Sequence, residues 1–423
     1  LIALVRPATG ARARIAGAAL SLVLVAAAGP VAAERPPSIL VITVDALRAD
    51  RLGAYGYRRD TSPAIDRLLG EGARFTRAWT PEPLTAPAMC AMVTGLEPHR
   101  HGASRNGLRM QPGLDSLPKI LARSGWTTAA FVGTWALKHN LTLLGDHFET
   151  FGERLDRRRW FGLINSEATG EDVTDDALAW FERHRAGRAP SPFFMWVHYI
   201  EPHAPYRLHS RDAARLGISG GQASKSDRYD TEIAAVDRAI ARLLDGIRPQ
   251  LPADELVVVF TADHGESLGE HDYWGHGRFL YEPELRIPLG VVWPGRIPSA
   301  KLDPQASLLD LAPTLLELVG LPVPAELAGT SWARTLRGGE PVAERRQCYQ
   351  AHRGAVHGGR DSDRKRSNGL LAVAIIEGTR KEILHLFRDE HLVFDLGTDP
   401  EELRNQAGSP SRASSELLGC LAE

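Results

Sequence analysis

Two apolar runs constrain this chain more than anything else in it. ILVITVD from Ile39 and ELVVVFTADHGE from Glu255 each pass through a stretch of strand-like composition and then finish on acids. A strand that is apolar at nearly every position is one covered on both faces. Further apolar runs at 128–132, 193–199 and 289–293 alternate with amphipathic stretches. One of these starts at about Ser62, where Ser62-Pro63 supplies an N-cap and a first-turn proline and Gly70 and Gly72 end the segment. Another lies between Ser226 and Gly246, where Ile233, Val236, Ile240, Leu243 and Leu244 fall at helical spacing beside Asp237 and Arg238. This alternation predicts an α/β fold, a large mostly parallel sheet flanked by helices. In open sheets of that kind ligands bind beyond the carboxyl ends of the strands, so Asp45 and Asp263-His264-Gly265-Glu266 mark the expected site.

Composition excludes several alternatives. With 50 Lys+Arg against 52 Asp+Glu over 423 residues, the formal charge of −2 offers no electrostatic footprint for nucleic acid. The three cysteines, at 90, 348 and 420, are odd in number and lack zinc-site spacing, so no disulfide framework is expected. Residues 1–33 read as an export signal: Arg6, Arg12 and Arg14 precede an apolar run from 15 to 28, followed by small residues. That run is short of the roughly 20 residues a membrane span needs, and no second stretch of membrane length follows, so no stable span is expected after cleavage. Loss of three arginines and no acid takes the formal charge from −2 to −5. The mature protein is expected to be periplasmic or secreted. After about residue 340 the composition shifts, and short strand-like pieces at 370–376, 382–387 and 391–396 predict a small antiparallel subdomain. The division is therefore 1–33 signal, 34–340 catalytic domain and 341–423 C-terminal subdomain.

A carboxylate and an imidazole at neighbouring strand ends are the ligand chemistry of a divalent metal. An acid at a strand end also serves as a helix N-cap, and that reading stays open for an isolated Asp45. The segment PLTAPAMCAMVTG puts the Thr85 hydroxyl just ahead of a short helix with an early proline, at the helix's positive end. A simple capping role explains Thr85 equally well.

The run TAPAMCAMVTGLEPHRHG resembles the sulfatase signature of the alkaline phosphatase superfamily. ILVITVDALRAD is similar to that family's first metal strand, EPHAPY to its substrate-histidine turn, and FTADHGESLGEHDYWGHGRFLYEPELRIPL to its second metal strand and the loop after it. SLLDLAPTLLELVGLPVPAELAG and VFDLGTDPEELRN also match, so the resemblance runs in order over about 38–406. It implies a sulfatase-like α/β sandwich with a small C-terminal α+β subdomain, acting on an anionic ester. Carried over by position, Asp45, Thr85, Asp263 and His264 would bind metal, and Thr85 would also be the nucleophile. His203 would contact the ester or assist the leaving group, and His276 would stand where the family usually has an anion-binding lysine. Glu266 would either orient His264 or lie at the surface, His271 would be a solvated loop residue, and Tyr273, Trp274 and Tyr281 would pack either in the core or on an organic group.

The chain departs from the family pattern at three positions. Thr85 occupies the place of the cysteine or serine that becomes formylglycine, and its β-carbon methyl precludes that aldehyde, so no formylglycine is expected. Met89 replaces the signature arginine and Ala46 a second metal-binding aspartate. Cys90 is expected to be a small buried thiol. An imidazole ligand favours Mn²⁺ or Zn²⁺ over Ca²⁺. A threonine ester must be resolved by attack at sulfur or phosphorus, which favours phosphate esters over sulfate esters. The leading expectation is an exported metal-dependent hydrolase of phosphate or sulfate esters. A phospho-head-group transferase and a non-catalytic ligand-binding relative are the alternatives.

Overall fold

The computed structural model describes residues 35–159, 164–187, 191–343, 345–354, 369–408 and 413–420. The segment read as an export signal lies outside them.

An eight-stranded sheet forms the centre. In chain order its strands are β1 (Ser38–Val44), β2 (Ala73–Phe75), β3 (Thr127–Val132), β4 (Thr150–Gly152), β5 (Phe193–Tyr199), β6 (Leu256–Ala262), β7 (Leu289–Val292) and β8 (Ala300–Leu302). Across the sheet they run β8-β2-β7-β6-β1-β5-β3-β4. β1 pairs in parallel with both β5 and β6, whereas β7 runs antiparallel to β6 and β2, so the sheet is mixed and mostly parallel. Every residue of β1, β5 and β6 is buried, as their unbroken apolar composition requires.

Helices α1 (Pro63–Gly70) and α3 (Gly170–Arg185) each pack on α4 (Lys225–Ile247), while α2 (Thr85–Thr94) packs with α5 (Leu311–Leu318). Ser62 does occupy the N-cap of α1, but its hydroxyl bonds the Gly53 N–H and Asp66. The capping is done from α4, where the Asp237 carboxylate accepts from the Ala64 and Ile65 N–H groups. That explains an acid on the buried face of α4. Among the described residues no helix is long and apolar enough to cross a membrane.

The C-terminal subdomain is a four-stranded antiparallel sheet, β9 (Gln347–His352), β10 (Leu370–Glu377), β11 (Arg380–His385) and β12 (Glu390–Asp395). Its first strand, QCYQAH, is not among the strand-like pieces read from the sequence, because only Cys348, Tyr349 and Ala351 of its six residues are apolar. Here the cysteine reading is corrected. Cys348 of β9 and Cys420, at the end of α6 (Ser415–Gly419), form a disulfide across 72 residues of sequence. The odd cysteine is Cys90, a buried free thiol as expected, with its pKa driven up by burial.

Candidate active site

Strand register brings the acidic ends together. Val44 is opposite Ala262 in the β1–β6 pair, so Asp45 and Asp263 leave the sheet side by side. The Asp263 Oδ1 accepts the N–H groups of Ala46, at 2.9 Å, and His264, at 2.7 Å, which aims Oδ2 away from the backbone. Ala46 adopts a positive φ of 56° to present that N–H. His264 Nδ1 lies 2.8 Å from the Gly265 carbonyl, which can only accept, so Nδ1 holds the proton and Nε2 offers a lone pair. Gly265 is obligatory here, since a Cβ would stand 2.1 Å from the Pro283 carbonyl oxygen.

The ligand atoms of Asp45, Asp263 and His264 lie within 4.8 Å of one another, and all three residues are buried. Nε2 of His264 is 3.3 Å from Asp263 Oδ2 and 3.7 Å from Asp45 Oδ1. Burial raises the Asp263 carboxyl pKa against the pull of its two backbone donors, and burial lowers that of His264 well below the usual histidine value. Among the described residues Asp263 Oδ2 has no hydrogen-bond partner. Two buried carboxylates facing an unprotonated imidazole nitrogen are poorly balanced without a cation, so these residues fit a divalent metal.

Thr85 is the first residue of α2 and makes no capping bond; Leu84 holds the N-cap position. The bare capping role for Thr85 is therefore excluded. Its Oγ1 lies 3.4 Å from His264 Nε2, the nitrogen that faces the Asp45 and Asp263 carboxylates. Beside it the Ala86 N–H is taken by the Asn106 side chain at 2.9 Å. The two departures nearby are both buried: Met89 is in the core, and Ala46 is the Asp263 partner just described.

The predicted histidines converge. His276 stacks on His264 with ring centroids 4.1 Å apart, and His203 meets His276 edge-on at 5.1 Å. His276 Nδ1 lies 3.1 Å from Glu266 Oε1. Burial alone would lower the His276 pKa, but the Glu266 carboxylate, helped by Asp263 and Glu284, outweighs it and raises it. Glu266 is thus neither a surface carboxylate nor the partner of His264. It is fully buried and serves His276. His271 is half-buried and stacked 3.7 Å from Tyr281, not solvated. Of the three aromatics near His276, Tyr281 is buried, Tyr273 half-buried and Trp274 exposed beneath Lys225.

Sequence reasoning missed three residues. Nδ1 of His198 lies 2.8 Å from Thr43 Oγ1, and its Nε2 is 3.6 Å from Asp45 Oδ2. Its signal was present, a lone polar residue inside the apolar run 193–199. Asn106 and Glu284 carried none. Glu284 is fully buried, with burial raising its carboxyl pKa to about 8, and it accepts from the Ser267 hydroxyl and bonds weakly to the N–H groups of Arg278 and Phe279, bracing the loop that carries His276.

A family model described as sulfatase matches residues 37–321. The chain belongs to the sulfatase family. A second model, the C-terminal region of N-sulphoglucosamine sulphohydrolase, matches 269–417 of this sulfatase-family hydrolase. It is similar to human arylsulfatase A, at 27% identity over 96% of this chain and 90% of that protein, and to a Bacteroides thetaiotaomicron N-acetylglucosamine-6-O-sulfatase, at 24% identity over 95% and 89%. Among solved structures, a phosphonate monoester hydrolase of Agrobacterium radiobacter has the same fold, with a TM-score of 0.66 and 21% identity over 87% of this chain and 91% of that one. These matches agree with the large mixed sheet flanked by helices and with the C-terminal antiparallel sheet. Enzymes of the family use a divalent metal, in keeping with the grouping of Asp45, Asp263 and His264.

Proposed function

We propose that this protein is an exported, metal-dependent hydrolase of phosphate or sulfate esters in which Thr85 is the nucleophile, with phosphate esters preferred. The observation that carries this reading is the Thr85 hydroxyl, 3.4 Å from the free nitrogen of His264 and not spent on capping its own helix. Asp45, Asp263, His264 and Thr85 would hold a single ion, for which the imidazole donor favours Mn²⁺ or Zn²⁺ over Ca²⁺. Bound there, the ion supplies Lewis-acid activation of the hydroxyl and offsets the charge of an incoming anion.

In the proposed reaction the Thr85 hydroxyl releases its proton to solvent, its Oγ1 attacks the phosphorus or sulfur, and the bond to the ester oxygen breaks. His203, half-buried beside His276, would supply the proton to that oxygen. His276, biased toward its charged form by Glu266, would bind the non-bridging oxygens in place of a lysine. Water then attacks the threonine ester, releasing phosphate or sulfate and restoring the hydroxyl. Formylglycine enzymes break a carbon–oxygen bond at this stage, a route closed to threonine. Attack at phosphorus is the easier of the two remaining choices, and the fold neighbour named for phosphonate monoesters acts on a phosphorus centre. The Cys348–Cys420 disulfide supports an oxidising compartment, in keeping with the export expected from residues 1–33.

Purified protein is to be assayed for bound metal and for turnover of p-nitrophenyl phosphate, bis(p-nitrophenyl) phosphate and p-nitrophenyl sulfate, beside Thr85→Ala. Metal-dependent turnover of the phosphorus esters, abolished in the variant, is the expected result. Absence of metal together with activity no greater than Thr85→Ala would return the chain to the non-catalytic reading, and faster turnover of the sulfate ester would overturn the phosphate preference.

A further inference from the structure

One end of the C-terminal sheet abuts the candidate active site. Gly277, next to His276, is pressed against the residues just before Thr85: a Cβ at Gly277 would lie 2.5 Å from Leu84 Cδ2 and 3.3 Å from the Pro83 carbonyl oxygen. The following residues, Arg278 and Phe279, meet the turn between β11 and β12. There the Arg278 guanidinium lies over the rings of Phe279, at 5.6 Å, and Phe387, at 5.3 Å. Arg388 lies over the same two rings, at 4.6 Å and 5.5 Å. The contact is fixed, because the fully buried Lys381 of β11 is 2.9 Å from Glu282 Oε1, just beyond the His276 loop, and 2.8 Å from Glu402.

The two guanidiniums are poorly neutralised. Arg278 has no carboxylate partner among the described residues, and the nearest acid to Arg388 is Glu390, whose Oε2 is 3.9 Å away. A guanidinium seated over an aromatic ring keeps its N–H groups for hydrogen bonding, and its fork takes a planar or tetrahedral anion through two of them. Arg278, Phe387 and Arg388 are all exposed, whereas Phe279 beneath them is buried. Arg278 follows His276 by two residues, with at most about 7 Å between their Cα atoms, so the guanidinium pair is anchored on the loop that carries His276.

We propose that Arg278 and Arg388, bedded on Phe279 and Phe387, form a subsite for a second anionic group carried on the leaving-group side of the ester. The preferred substrate is then an ester whose organic part itself bears a sulfate, phosphate or carboxylate. This rests on the hydrolase reading for its meaning, but the binding it asserts is measurable without turnover.

The test is calorimetric titration of the full chain with naphthalene-2-sulfonate and naphthalene-2,6-disulfonate, neither of which is an ester. The disulfonate is expected to bind about fivefold more tightly than the monosulfonate. The Arg278→Gln/Arg388→Gln double variant should bind both alike, while Arg278→Lys, which keeps the charge, should retain part of the difference. Equal binding of the two probes to the wild type, no binding of the disulfonate, or a preference that survives in the double variant would each overturn the proposal. Failure of the hydrolase reading is seen separately, as absence of turnover of p-nitrophenyl phosphate and sulfate.

Discussion

His198 Nε2 lies 3.6 Å from Asp45 Oδ2, on the side of the carboxylate turned away from His264. The ring is held from behind. The indole N–H of Trp196 donates to Thr43 Oγ1 at 2.8 Å, and the Asp45 carboxylate facing Nε2 favours the imidazole proton there, which makes Nδ1 the acceptor of the Thr43 hydroxyl. Burial keeps this histidine neutral, with its pKa pushed down to about 3. It thus turns an N–H toward one oxygen of Asp45 and leaves Oδ1 to face His264. Thr43→Val should weaken Mn²⁺ or Zn²⁺ binding by about 10-fold to 100-fold, measured by competition with a chelator, and should also lower the melting temperature of the metal-free protein by a few degrees, because the buried Trp196 indole and His198 Nδ1 lose their partner. Unchanged metal affinity in this variant would show that the Thr43–His198 pair has no part in holding Asp45.

Removing the charge of Glu266 should act on the anion and not on the metal. Glu266→Gln deletes the charge-assisted hydrogen bond to His276, an interaction worth roughly 1.5–3 kcal/mol. Inorganic phosphate should inhibit the variant about tenfold less well, and His276→Lys should recover most of the loss. Metal stoichiometry is expected to stay at the wild-type value.

The disulfide fastens the last described helix to the edge of the C-terminal sheet, toward the opposite end of β9 from His352. Closing a loop of 72 residues is worth up to roughly 4 kcal/mol in chain-entropy bookkeeping. Cys348→Ser/Cys420→Ser should therefore melt several degrees lower and be cut earlier by protease near its C-terminus. Metal binding at the distant strand ends should be intact.

A pH effect follows from Glu82 and His352, both buried, with Oε1 and Nδ1 2.9 Å apart. Burial opposes the imidazolium and Arg105 repels it, yet the Glu82 carboxylate outweighs both and raises the His352 pKa above 6.5. A histidine whose folded pKa is raised contributes its full stability below the unfolded value and loses it as pH climbs through the folded one. Between about pH 6 and about pH 8.5 the wild type should lose about 2 °C of melting temperature more than Glu82→Gln/His352→Gln does; both partners are changed because burial raises the Glu82 carboxyl pKa, and left alone it would add a pH dependence of its own. Parallel slopes for the two proteins would assign the pH dependence elsewhere.

The central sheet was legible because ILVITV and LVVVFT can be little else than strands buried on both faces, and each ends on the acids that the register then sets side by side. Thr85, His203 and His276 were legible only through the family pattern, since nothing local to a threonine before a short helix distinguishes a cap from a nucleophile. What escaped was pairing between distant segments. Cys348 finds Cys420 only once β9 and α6 exist, and Glu266 finds His276 only after the chain has turned back at Gly269 and Tyr273. Asp237 reads as one polar residue on an apolar helix until α1 is laid against it.

The opposition of Val44 and Ala262 also bears on how such a protein diversifies. A strand shifted by one residue turns every side chain to the other face, so neither Asp45 nor Asp263 can drift by degrees; each is kept or lost outright. The exposed turn after His385 lies under no such rule and accepts insertion or exchange without disturbing the sheet. Selection acting on this scaffold is therefore free to change which molecules are admitted while the reacting centre stays where the strands put it.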